Sequence, residues 1–144
     1  MLLHALVWLF SPFLLTENKG ELVLHIKNLD TPKGVIRVAV YDDEKKFLQT
    51  GNETLGKIIP VHTAEELQVN LLDLRFGYYA IAIYHDVNDN GALDKNYLNI
   101  PTEPYAFSNN PAVKWRSPTF QETQIEFSVP QKELTLELKR WRKH

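Results

Sequence analysis

Asp86, Asn88, Asn90 and Asp94 set side-chain oxygens at alternate positions of the run Asp86-Val87-Asn88-Asp89-Asn90-Gly91-Ala92-Leu93-Asp94, with a glycine in the sixth place. Calcium takes six to eight oxygens at about 2.3 to 2.6 Å, and a chain wraps around it when oxygens project at every second residue and a glycine permits a sharp turn. The expected ligands are Asp86, Asn88, Asn90, the Ala92 carbonyl and Asp94, with Glu103 returning from further along to add a carboxylate. Tyr97 stands where an EF-hand has its bidentate glutamate, and the flanks read as a strand and an irregular loop, so this is not an EF-hand. Charge comes from Asp86 and Asp94, which predicts weak binding, on the order of 10⁻⁴ to 10⁻³ M as in extracellular modules. The competing reading is an ordinary turn, because Asn90-Gly91 tolerates the positive φ of a hairpin.

Downstream, Tyr105, Phe107, Asn109 and Asn110 place two rings beside two amides, a combination suited to a glycan, a peptide or an envelope protein. The alternative is that Tyr105 and Phe107 cover an apolar sheet face while the two asparagines close turns. A hydrolase built on His85, Asp86, Glu103 or Ser108 is the rival class. Against it, neighbours on a strand point to opposite faces, so His85 and Asp86 do not make a simple base and orienter. The chain also has no Gly-x-Ser-x-Gly elbow, no His-Glu-x-x-His zinc motif and no phosphate-binding glycine loop.

The elements that must position these residues read as strands. Leu22, Leu24 and Ile26 alternate with Glu21, His25 and Lys27, and after the turn residues Thr31-Pro32-Lys33-Gly34 a second period-two run, Ile36, Val38 and Val40, predicts a hairpin partner. A short strand is expected through residues 57–61 and another through residues 66–72. The run from Tyr78 to His85 is apolar on both faces, with Tyr79, Ile81 and Ile83 on one and Tyr78, Ala80, Ala82 and Tyr84 on the other, so a cover is expected over the second. From Asp86 to about Thr123 no helix or strand period is visible, yet Tyr97, Ile100, Tyr105, Phe107, Trp115 and Phe120 make a functional loop a better reading than disorder. Ile125, Phe127 and Val129, then Leu134, Leu136 and Leu138 after the Pro130 turn, close the domain. About seven strands at regular spacing predict an all-β antiparallel sandwich, immunoglobulin-like or transthyretin-like, with one long irregular loop, as a single domain over residues 20–140.

Composition narrows the partners. The net charge of −2 over 144 residues supplies no broad basic field for nucleic acid. With no cysteine, disulfides, thiol catalysis and zinc ribbons are excluded, and any resident cation would be an oxygen-loving one such as Ca²⁺. Met1 to Leu15 is almost continuously apolar but shorter than the roughly 20 residues of a membrane-spanning helix, which predicts a signal peptide over residues 1–16, no transmembrane span and a periplasmic or extracellular product. The tail Lys139-Arg140-Trp141-Arg142-Lys143-His144 either touches anionic lipid or polymer through its charge and its Trp, or is a solvated end.

Tyr84-His85-Asp86 leading into Asn88, Asn90-Gly91 and Leu93-Asp94, then Pro101, Glu103, Tyr105, Phe107-Ser108-Asn109-Asn110 and Ser117-Pro118-Thr119-Phe120, resembles a bacterial family of small secreted β-sandwich domains of unknown function. The likeness covers most of the chain after Gly20. It implies a small exported β-sandwich and carries no activity with it.

Overall fold

The computed structural model describes residues 18–113 and 115–141. The predicted signal peptide and the last residues of the basic tail lie outside that range. Among the described residues there are eight strands rather than about seven: β1 (Lys19–Lys27), β2 (Val35–Tyr41), β3 (Leu55–Pro60), β4 (Leu67–Arg75), β5 (Gly77–Asp86), β6 (Tyr105–Phe107), β7 (Ile125–Phe127) and β8 (Gln131–Glu137). One helical turn, α1 (Phe120–Thr123), precedes β7. Two sheets form, a three-stranded one in the order β4-β1-β8 and a five-stranded one in the order β3-β2-β5-β6, with β7 also paired to β5. The expected all-β sandwich is present.

The alternation of each strand explains the packing. Leu22, Leu24 and Ile26 of β1, Val69 and Leu71 of β4 and Leu136 of β8 meet Ile36, Val38 and Val40 of β2 and Ile81 and Ile83 of β5, all buried. Phe127 of β7 is fully buried and meets Phe76 edge to face, with ring centroids 5.5 Å apart. Burying each such side chain stabilises the fold by about 1.5–3 kcal/mol before the entropy of ordering it is counted.

Three local expectations need correction. β1 and β2 do not form a hairpin; they belong to different sheets, and the segment between them crosses from one layer to the other. Buried Leu29 anchors that crossing, and Gly34, at φ 75°, ends it so close to β5 that a Cβ there would lie 2.2 Å from the Asp86 carbonyl oxygen. The sandwich is also not wholly antiparallel, because β8 runs parallel to β1 over residues 21–27 and 131–137. A parallel pair requires a long crossover, and here nearly the whole chain supplies it. Finally, the stretch from Asp86 to Thr123 is not structureless: it holds β6 and α1. Thr119 and Glu122 form a capping box on α1, and Arg116 grips Glu122 with two bonds at 2.7 and 2.8 Å, holding its carboxyl down at a pKa of about 2. Among the described residues no helix is long and apolar enough to cross a membrane.

Candidate functional site

β5 carries the site. Its inner side chains, Tyr79, Ile81, Ile83 and His85, face the other sheet, and its outer ones, Ala80, Ala82, Tyr84 and Asp86, run from a covered end to the Asp86–Asp94 loop. Asp86 is fully buried. Its Oδ2 accepts from Arg37 Nε at 2.7 Å and from the Gly91 amide at 2.9 Å, and its Oδ1 accepts from the Asn90 amide at 3.0 Å. Burial alone would raise the Asp86 pKa; the Arg37 guanidinium and the two amides outweigh it and hold the carboxyl below its ordinary value. The far side of Arg37 reaches Asp89, with Nη2 3.0 Å from Oδ1.

The loop closes on itself through the remaining polar groups. Glu103, also buried, does return to it, but its oxygens accept main-chain amides, Val87 at 2.9 Å and Asp94 at 3.0 Å. The Asn88 and Asn90 amide groups each donate to an Asp94 oxygen at 2.7 Å, so three of the expected ligand side chains converge. The Asn88 and Asn90 oxygens accept from the Asn90 and Ala92 amides at 3.2 and 3.0 Å, and Gly91 takes the expected positive φ, 84°. Among the described residues no three His, Asp or Glu side chains gather closely enough to hold a metal ion. Arg37, which sequence reasoning did not single out, supplies the positive charge at Asp86.

The residues of the hydrolase reading are not brought together. His85 sits on the inner face, fully buried, with Nε2 2.7 Å from the Lys33 carbonyl oxygen and Nδ1 without a partner among the described residues. Nε2 therefore carries the proton and donates it. Ser108, also buried, accepts from the Ile81 amide at 2.9 Å and donates to the Thr123 carbonyl. No hydrogen bond joins any two of His85, Asp86, Glu103 and Ser108; each is spent on main chain or on Arg37.

The outer face of the five-stranded sheet is organised in rows across the strands. Tyr41 pairs with Ala80 in the first row, and Phe47 and Phe120 cover them, with Phe47 5.5 Å from Tyr41 and 5.8 Å from Phe120 between ring centroids. This is the cover that a two-sided apolar β5 demands, and it extends over only part of the strand. The second row runs Gly56, Ala39, Ala82, Phe107, three small residues ending at a ring. The third runs Ile58, Arg37, Tyr84, Tyr105 and, through an isolated bridge, Lys139. At about 4.8 Å per strand, the three small residues of the second row make a trough roughly 10 Å long that ends at Phe107, and the third row makes a ridge beside it. Both lie on the floor of a cleft of about 1440 Å³, walled by residues such as Leu98, Ile100, Pro111 and Trp115 from the long loop. Burial pushes the Tyr84 and Tyr105 phenols above their ordinary pKa, so both remain O–H donors near neutral pH.

Of the predicted ligand surface, Tyr105, Phe107 and Asn110 line this cleft. The Asn110 amide is committed to β8, donating to the Thr135 carbonyl and accepting from the Glu137 amide, each at 2.9 Å. The Asn109 amide donates to the Gln124 carbonyl at 2.8 Å, and both asparagines have the positive φ of turn residues, 65° and 42°. Sequence reasoning missed Gly56 and Ala39 as floor positions. Ala39 alternates with Arg37 just as Ala82 does with Tyr84, but the register that aligns them was not visible.

No curated protein and no solved structure matches the chain. A family model described as "Uncharacterized protein conserved in bacteria (DUF2141)" matches residues 24–135, which takes in both sheets, the Asp86–Asp94 loop and the cleft floor. The chain therefore belongs to this uncharacterised bacterial family.

Proposed function

We propose that the protein is a binding module of the bacterial cell envelope, periplasmic or extracellular, whose cleft takes a glycan laid across the strands of the five-stranded sheet. The observation that carries this reading is the trough Gly56–Ala39–Ala82, three small residues aligned across adjacent strands, with the Glu53 side chain beside Gly56 at one end and Phe107, Tyr84 and Tyr105 along its border. Sugar rings present flat C–H faces to aromatic rings, and the two phenols supply hydroxyl donors at the border. A peptide strand is favoured less, because β2 and β5 are paired on both sides and the edge strand β3 offers main-chain groups at one end of the trough rather than along it. Export rests on the apolar run from Met1 to Leu15.

Calorimetric titration with a panel of envelope oligosaccharides tests the site. The native chain binds at least one of them, and Ala82→Leu, which fills the trough from a half-buried position, abolishes binding while lowering stability by about 1–3 kcal/mol or less. Unchanged binding in Ala82→Leu contradicts the assignment, and binding of peptides alone replaces the glycan with a peptide.

The convergence of Asn88, Asn90 and Asp94 favours a second, separable role, a weak calcium site that stiffens the cleft wall. Turning both amide groups over would aim their oxygens toward Asp94 at the cost of the bonds they accept from the Asn90 and Ala92 main-chain amides, which fits weak binding, while Asp86 and Glu103 stay on main-chain amides. Asp94→Ala tests this better than Asp86→Ala, since Asp86 also holds Arg37. Calcium at ten times its Kd stabilises the native chain by about 1.4 kcal/mol, and Asp94→Ala loses that response. An equal response in the variant, or none in either, removes the site.

A further inference from the structure

The fold brings together two tryptophans that the sequence keeps far apart. Trp115 and Trp141 meet edge to face, with ring centroids 5.6 Å apart, at the outer rim of the cleft. Trp115 is 86% exposed. In the sequence each ring stands between two basic residues, Lys114-Trp115-Arg116 and Arg140-Trp141-Arg142, and neither residues 111–118 nor residues 138–144 contain an acid. The two sequence segments together hold six Lys and Arg and no acid in a chain whose net charge is −2. Arg116 is matched by Glu122 and Arg140 by Asp30, but Lys139 flanks the pair as well, and Arg142 and Lys143 add charge to the same tail.

We propose that this rim is a docking surface for an anionic lipid bilayer. Exposed indole rings beside Lys and Arg are the chemistry of the membrane–water interface, where the ring settles among headgroups and each cation gains from a negative surface. A glycan platform needs a ring held flat by packing beneath it. Among the described residues the aromatic contact of Trp115 is with Trp141, which meets it edge on and does not hold the ring flat. Leu98, 57% exposed, lines the same cleft and adds apolar surface for the interface. The surface would hold the cleft mouth close to the membrane, and it stands whether or not the cleft takes a glycan.

The test follows the environment of the rings rather than pelleting, because the apolar run Met1–Leu15 can bind lipid by itself. In a full-length Trp8→Phe background only Trp115 and Trp141 emit. Vesicles of phosphatidylcholine with about 30% phosphatidylglycerol shift their emission to the blue, salt at about 0.5 M reverses the shift, and pure phosphatidylcholine gives none. Trp115→Ala removes most of the signal. Lys139→Gln with Arg142→Gln and Lys143→Gln weakens binding by on the order of a hundredfold. No shift with the anionic vesicles, an equal shift with the zwitterionic ones, or a shift produced by soluble polyuronate but not by vesicles would each overturn the proposal, the last in favour of an acidic polymer.

Discussion

The two faces of β5 are built from the same ten residues and behave differently. On the inner face Tyr79, Ile81, Ile83 and His85 are uniformly buried, and the ring nitrogen of His85 that faces the main chain is bonded to it. On the outer face burial changes along the strand: Ala80 is sealed under aromatic rings, Ala82 and Tyr84 open onto the cleft, and Asp86 is buried again under its own loop. The difference separates two tasks. A face packed against another sheet specifies the fold, whereas a face whose cover stops partway leaves a floor of defined width between two fixed walls. One wall is aromatic, and the other is held by Arg37, Asp86 and Glu103.

The inner layer carries the largest cost. Phe127→Ala leaves a cavity where the two sheets meet and costs about 3–5 kcal/mol in chemical denaturation. A loss under about 1 kcal/mol would mean that β7 is peripheral to the core.

Asp86→Ala comes next, at about 2–4 kcal/mol, because it strands the part-buried Arg37 and two main-chain amides at once. The same residue gives the outer face a pH dependence. Its folded pKa lies below its unfolded one, so the stabilisation is complete above the unfolded value of about 3.9 and is lost as pH falls through the folded value. Melting followed from about pH 6 downward therefore declines less in Asp86→Ala than in the native chain; parallel curves would assign the acid sensitivity elsewhere.

Ser108→Ala sharpens the contrast at smaller cost, about 1–3 kcal/mol, by leaving the Ile81 amide unpaired where β6 meets β5. If Ser108 were a nucleophile instead, the substitution would remove an activity at unchanged stability. Smallest is Asn110→Ala, about 1–2 kcal/mol, from the two bonds that tie the β6 turn to β8. Amide hydrogen exchange should then speed up in β8 and leave β2 unchanged.

Period-two alternation made the individual strands legible, and Leu22, Leu24, Ile26, Ile36, Val38 and Val40 are buried as their spacing requires. Which strands are neighbours was not legible. The segment from Asn28 to Gly34 reads as a turn in either topology, and the crossing shows only in the placement of β1 and β2 in different sheets. The short elements of the long loop were hidden for a different reason. Three residues of β6 are too few to display a period, while α1 has an audible signal in Thr119 and Glu122, a capping box that marks a single turn. In the Asp86–Asp94 loop the sequence exposed the alternating oxygens but not their partners, because Arg37 arrives from β2. The trough was the least visible feature, since Gly56, Ala39 and Ala82 are unremarkable apart and become a floor only through register.

Chemical-shift mapping of the backbone amides, with the best-binding oligosaccharide added to the native chain, tests most directly whether the uncovered part of the outer face is the working surface. Perturbations are expected to concentrate at Ala39, Gly56, Ala82, Tyr84 and Tyr105, with the inner-face residues Ile36, Val38 and Ile81 changed far less. Perturbations confined to other surfaces, or none at saturating ligand, would contradict this assignment.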